Sequence, residues 1–230
     1  MATRRLSEED RRAIAEAVGR AEASTDGEIV CVLSPASDDY AEAPVGWAAA
    51  AAFVAPLLAV LAGWRPLLPL PWLHAWEAGA PAFQAQLTET LAAYMLVQAM
   101  LFGVLYFALR PAGLRRRLTP GGLQRAKVRK AAASQFLATG LSAAPDRTGV
   151  LIYASLEERM VEVIADRLIS EKTGAETWER AVAAVREGMR RGVTGGGFVH
   201  AVEIVGAALA QGFPPTRPRA NAFSDEVREL

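Results

Sequence analysis

Polar and apolar positions change rhythm several times along this 230-residue chain, and two stretches carry no charge at all. Residues 43–64 and 90–109 contain no Asp, Glu, Lys or Arg. At about 1.5 Å per helical residue, each can cross a hydrocarbon core of about 30 Å. The pattern therefore predicts two membrane-spanning helices joined by a short connector. The second is rich in Leu, Val and Phe. The first is rich in alanine and carries Pro56, which predicts a kink and insertion helped by its partner. Four of the five tryptophans, Trp47, Trp64, Trp72 and Trp76, fall in the first run or the connector, the distribution of an interfacial aromatic belt.

The flanks have soluble rhythms. Ser7-Glu8-Glu9-Asp10 has the form of a capping box with an acidic first turn, and Ile14, Ala17, Val18 and Ala21 follow at helical spacing. This predicts a helix over 7–23. Residues 28–33 (EIVCVL) are apolar on both faces, as in a central strand. Beyond the second run, Val128, Ala132 and Phe136 mark one face of a helix ending near Thr139 and Gly140. Residues 149–155 and 160–165 then read as two strands joined by a tight turn, hence a β-hairpin. Trp178, Val182, Val185 and Met189, then Phe198, Val202, Val205 and Leu209, mark two amphipathic helices. After Gly212 the tail holds Pro and charge without periodicity and is expected to be disordered.

Charge orients the pair. Eight basic and no acidic residues lie between Arg110 and Lys130, among them Arg115, Arg116 and Arg117, whereas the connector offers only Arg65. The positive-inside rule puts the chain after Leu109 in the cytoplasm, and two crossings return the N-terminal segment to the same side. Trp47, Trp64, Trp72, Trp76, Arg110, Arg115, Arg116 and Arg117 are thus expected to anchor the chain in the bilayer. The expected location is an inner, cytoplasmic membrane crossed twice, with both termini and the soluble part cytoplasmic. The N-terminus has no apolar core or cleavage site of a secretory signal. A net charge of zero gives no argument for nucleic acid, so the bilayer, and through it another membrane protein, is the expected partner.

A lone helix and strand cannot form a core, and the later strands would leave an apolar edge bare. Strand 28–33 is therefore placed in one sheet with the two later strands. The expected architecture is α/β, a three-layer α/β/α sandwich with a small sheet, interrupted by an inserted transmembrane hairpin. Its parts are residues 1–42, the hairpin and extracytoplasmic connector 43–110, the second part of the domain 111–212, and the tail 213–230.

Read together, the flanks resemble the TPM domain family. The resemblance lies in residues 25–30 (TDGEIV), in Val128, Ala132 and Phe136, in 148–155 (TGVLIYAS) and 158–166 (ERMVEVIAD), and in Trp178 and the glycine-rich start of the last helix. That family includes thylakoid-lumen acid phosphatases, photosystem-repair proteins, receptor modulators and many bacterial proteins of unassigned activity. The resemblance implies an α/β/α sandwich and a modulator or interaction role acting on membrane proteins, with divalent-metal-dependent phosphatase activity as the alternative. Two departures stand out. Many members carry the domain outside the cytoplasm on a C-terminal anchor, and the acidic stretch linked in some to calcium is not matched by Thr3-Arg4-Arg5-Leu6.

Metal-assisted phosphate hydrolysis needs carboxylates converging at strand ends. Asp26, Glu28, Asp146 and Asp166 are the candidates, and a divalent cation is the one cofactor they suggest; no other cofactor is evident. Each also has a structural reading, Asp26 as a turn residue before glycine and Asp166 as a cap. His200 reads as a surface or half-buried helix residue, His74 lies in the connector, and Cys31 reads as a small core residue. With one cysteine and two histidines, neither a disulfide within the chain nor a Cys/His zinc cluster is available. Gly195-Gly196-Gly197 could offer N–H groups to an anion but lacks the lysine of a P-loop, and the start of a helix is the better reading.

Overall fold

The computed structural model describes residues 6–64, 82–141, 148–216 and 225–230. Asp146, Trp72, Trp76, His74 and most of the connector lie outside them. In chain order the elements are α1 (Glu8–Glu22), β1 (Glu28–Ser34), α2 (Glu42–Leu61), α3 (Ala82–Ala108), α4 (Ala112–Leu118), α5 (Gly121–Ala138), β2 (Gly149–Ser155), β3 (Met160–Ala165), α6 (Arg167–Lys172), α7 (Ala175–Arg191), α8 (Thr194–Gly212) and β4 (Arg228–Glu229). They form two compact units, residues 1–38 with 121–230, and residues 39–120.

The first unit is built on a small, open, mixed sheet in the order β3-β2-β1-β4. β1 and β2 run parallel, from Glu28 opposite Gly149 to Ser34 opposite Ser155. β2 and β3 form the antiparallel hairpin that the short turn predicts, with Ser155 opposite Met160. Every residue of β1 and β2 is buried. Alternation then sends successive side chains to opposite faces. Ile29, Cys31, Leu33, Val150, Ile152 and Ala154 pack with side chains of α1, α6, α7 and α8, whereas Val30, Val32, Leu151 and Tyr153 pack with Val128, Ala132 and Phe136 of α5. Apolar runs on both faces are what a two-sided burial requires, and each fully buried Val, Leu or Ile contributes about 1.5–3 kcal/mol over its exposed state.

α1 begins as its sequence dictates. The Ser7 hydroxyl accepts from the Asp10 N–H, the Asp10 carboxyl accepts from the Ser7 N–H, and three acidic residues occupy the first turn. α7 ends in a left-handed Gly192. The short helices α4 and α6 have no counterpart in the periodicity.

The described parts of the tail, residues 213–216 and 225–230, correct the expectation of disorder, while 217–224 lie outside the described residues. Val32 and Leu33 pair with Arg228 and Glu229, the Leu230 N–H donates to Leu33 O at 3.1 Å, and Val227 is buried. The sheet thus has four strands rather than three. The physical reason is the edge of β1: an apolar central-type strand with an open side is a liability, and the chain's own end covers part of it. Phe213 and Thr216 are likewise engaged, by Thr25 and Asp26.

In the second unit, α2 and α3 pack on each other and α4 packs on α2. Residues 42–61 and 87–108 are long and apolar enough to cross a membrane, and only 22% and 6% of their apolar windows are buried. Phe53, Leu57, Leu58 and Leu61 of α2 and Leu91, Met95, Met100, Val104 and Phe107 of α3 are exposed. α2 runs through Pro56 as one helix.

Candidate functional site

The described candidate carboxylates share one end of the sheet, where β1 and β2 begin and β3 ends. Asp26 lies in the turn into β1. Its Oδ2 accepts from the Thr216 hydroxyl at 2.6 Å and the Thr216 N–H at 3.0 Å, and its carbonyl accepts from the Thr148 hydroxyl at 2.8 Å. It ties the turn to the chain beyond α8. Asp166 is the N-cap of α6, its carboxyl accepting from the Arg167 N–H at 2.6 Å, while its own N–H donates to Gly149 O. Since β2 lies between β1 and β3, the two carboxylates belong to strands about 10 Å apart at a spacing of about 4.8 Å. Among the described residues, then, Asp26 and Asp166 meet the needs of a turn and of a cap.

Glu28 is buried at the first position of β1, and its charge acts on a further carboxyl that the sequence reading missed, Glu22. Glu22, in the last turn of α1, accepts from the Ile29 N–H at 2.8 Å. In a parallel pair successive amides alternate sides. Glu28 donates toward β2, to Thr148 O, so Ile29 points to the opposite edge, short of where β4 pairs. Glu22 there substitutes for a neighbouring strand. Burial pushes its carboxyl up to about 8, opposed by the Ile29 N–H and reinforced by the charges of Glu28 and Asp225. It is a neutral acid at pH 7. Cys31 is fully buried, and burial foremost pushes its thiol up, so it stays a thiol and a core residue.

At the opposite end of the sheet, where β1 and β2 finish, lies a second polar cluster. The Glu158 carboxyl accepts from the buried Ser155 hydroxyl and from the Ser37 N–H at 3.2 Å. The Ser37 and Tyr153 hydroxyls meet at 3.0 Å. Lys127 of α5 donates to Asp38 at 2.7 Å, with both side chains largely sheltered. Leu156 and Glu157 donate to Ser34 O and Pro35 O, extending the pairing past the strands. Arg159 completes the turn at φ 53°. These bonds fix residues 34–38, the segment through which β1 leaves the sheet. In the sequence Glu158 reads as a turn residue and as the first of the resembling segment 158–166, with no sign of this bonding role; Ser37 and Asp38 read only as linker.

The glycine triad divides by position. A Cβ on Gly195 would run into the Asp10 carboxyl, and one on Gly197 would lie 3.0 Å from Ala184 O, whereas Gly196 opens to empty space. The start of α8 is thus filled by the α1 capping carboxylate and by the α7 backbone, so close packing explains Gly195 and Gly197 but not Gly196. His200 is exposed on α8, 3.5 Å from Glu203.

In the unit of residues 39–120, Trp47 is half exposed and its indole N–H donates to Leu118 O at 2.9 Å. Arg115 faces Asp39 at 3.9 Å. The Arg110 guanidinium lies 5.9 Å from the Tyr106 ring centroid and 5.8 Å from that of Phe107. Arg116 and Arg117 share α4, and Trp64 is exposed just past the end of α2.

No protein-family model and no curated protein matches the sequence. Among solved structures, the NMR structure of the BA42 protein from the psychrophilic bacterium Bizionia argentinensis is similar, with a TM-score of 0.56 and 16% identity over 99% of this chain and 97% of that one. At that identity the likeness concerns the fold.

Proposed function

We propose that this chain is a membrane-anchored TPM-type module that works by binding another membrane protein. In this reading α2 and α3 cross an inner membrane as a hairpin. The unit of residues 1–38 and 121–230, a three-layer α/β/α sandwich, is held at the cytoplasmic face with both termini. The observation that carries the reading is the exposed apolar surface of α2 and α3, far beyond the scattered apolar residues of a soluble surface. The run of basic residues from Arg110 supports the orientation. An interaction role is favoured over catalysis because Asp26 and Asp166 are both spent on backbone and hydroxyl partners, and the Glu158 cluster is engaged in fixing a loop.

Two measurements test this. A cytoplasm-restricted thiol label should modify Ser24→Cys and spare Ala78→Cys in the connector; labelling of Ala78→Cys from the cytoplasm overturns the topology. Affinity purification of the intact chain should enrich a membrane protein over a control carrying the apolar pair alone, and equal recovery counts against the interaction role. The alternative, a divalent-metal phosphatase using Asp26, Glu28, Asp146 and Asp166, has one geometric support: its described members gather at one sheet end. It predicts cation-dependent phosphoester turnover that falls at least about tenfold in Asp26→Asn and Asp166→Asn. Our reading predicts no such turnover.

A further inference from the structure

We propose that the basic end of the helical pair is a docking surface for acidic phospholipids, with Arg110 and Arg117 taking the headgroup phosphodiesters. The proposal rests on the membrane reading above and adds to it the class of lipid and the residues that select it.

Charge is gathered at one end of this unit. Among its described residues the basic side chains are Arg110, Arg115, Arg116 and Arg117, all within α4 or the bend before it. Arg115 is set against Asp39, while Arg110 and Arg117 are exposed. The short helix is held in place: Trp47 of α2 donates to Leu118 O, and the Thr119 hydroxyl donates to Arg115 O at 2.9 Å. A basic segment pinned in this way loses less freedom on binding than a polybasic tail would. Arg110 is positioned too. Its guanidinium lies near the rings of Tyr106 and Phe107, so the charge stands at the edge of the apolar surface.

That contiguity selects the partner. Val104 and Phe107, one or two turns before Arg110, are exposed. A ligand touching both the arginines and this surface needs an anionic head and a hydrocarbon body. Acidic phospholipids have both, and the guanidinium fork matches a phosphate in two-point contact. An acidic protein segment would satisfy the arginines but leave the apolar edge bare.

The test uses the full chain reconstituted into nanodiscs of phosphatidylcholine with a minority of phosphatidylglycerol, the retained lipids being counted by native mass spectrometry. We expect about a threefold enrichment of phosphatidylglycerol over its bulk share at low salt. High salt should bring it to parity, an arm that needs no variant. The combined Arg110→Gln and Arg117→Gln protein should show parity at low salt. Equal retention of both lipids by the embedded wild-type chain overturns the proposal alone, as does an enrichment that survives in the double variant; either outcome leaves the basic end to an acidic protein segment. A chain that carbonate strips from the bilayer overturns the membrane reading and this proposal together.

Discussion

Gly188→Ala is expected to destabilise the α/β unit by about 2–3 kcal/mol, whereas Gly196→Ala should leave it unchanged or improve it by up to about 1 kcal/mol. Both glycines are helical, so alanine raises intrinsic helix propensity at both sites. Space decides the outcome. A Cβ on Gly188 would lie 2.7 Å from Gly197 Cα, 2.9 Å from Gly197 N and 2.9 Å from Val193 O. All three are backbone atoms, and no rotamer change can relieve them. The only remedy is to part α7 from α8, whose contact buries Ala181, Val185, Phe198 and Ala201 together. Gly196 has nothing within 4 Å. Gly195→Ala should cost about as much as Gly188→Ala, because the added Cβ would meet not only the Asp10 carboxyl, which could swing away, but also Asp10 Cβ at 2.6 Å, which moves only with the α1 backbone. Hydrogen exchange of the β1 and β2 amides, which open with the whole unit, gives the measurement. Equal effects at 188 and 196 would show that the α7–α8 contact is looser than the distances indicate.

The same glycines show where the sequence is legible and where it is not. Periodicity locates α7 and α8, and a Gly-Gly-Gly run marks the boundary between them. Which glycine is indispensable depends on Asp10, 185 residues earlier in the chain, and nothing local encodes that. The capping box, the doubly buried β1 and β2 and the β2–β3 hairpin are local patterns and were readable. β4 was not, because two residues pair with Val32 and Leu33 through a contact spanning nearly the whole chain. α4 and α6, of seven and six residues, are too short to carry a period and too short to be stable alone; their neighbours stabilise them. The candidate carboxylates were found by type and by their place at strand boundaries. Composition cannot say whether such a group faces a cavity or an amide. Asp26 and Asp166 proved to face hydroxyl and amide donors. Glu22 looks in the sequence like an ordinary helix-surface glutamate, and only the return of β1 beneath α1 buries it.

That burial makes the stability of the α/β unit fall as pH rises from about 5 to about 8, with Glu22 as the cause. Its carboxyl titrates near 8 in the folded chain against an ordinary value of 4.5. Below 4.5 both folded and unfolded chains hold the proton, and the stability associated with the neutral acid is fully present. Between 4.5 and 8 the folded chain keeps a proton that the unfolded chain has released, so each step up in pH favours unfolding. Above 8 both are ionised and the loss is complete. A full linkage of about 1.4 kcal/mol per pH unit is an upper bound. Solvent still reaches this side chain, which reduces the expected loss to about 2 kcal/mol. Glu22→Gln isolates the effect. The amide keeps a carbonyl to accept from Ile29 and has the shape of the neutral acid, so it preserves the bond that closes the β1 edge while removing the titration. The variant should match the wild type near pH 5, exceed it by about 2 kcal/mol at pH 9, and show a flatter profile between them. Glu22→Ala serves as the contrast: it also loses the titration but leaves the Ile29 N–H without its acceptor, which costs about 1–3 kcal/mol at every pH. Parallel pH profiles for the wild type and Glu22→Gln in the same exchange measurement would mean that Glu22 is ionised in the folded chain, and that its bond to Ile29 is made by a carboxylate rather than by a neutral acid.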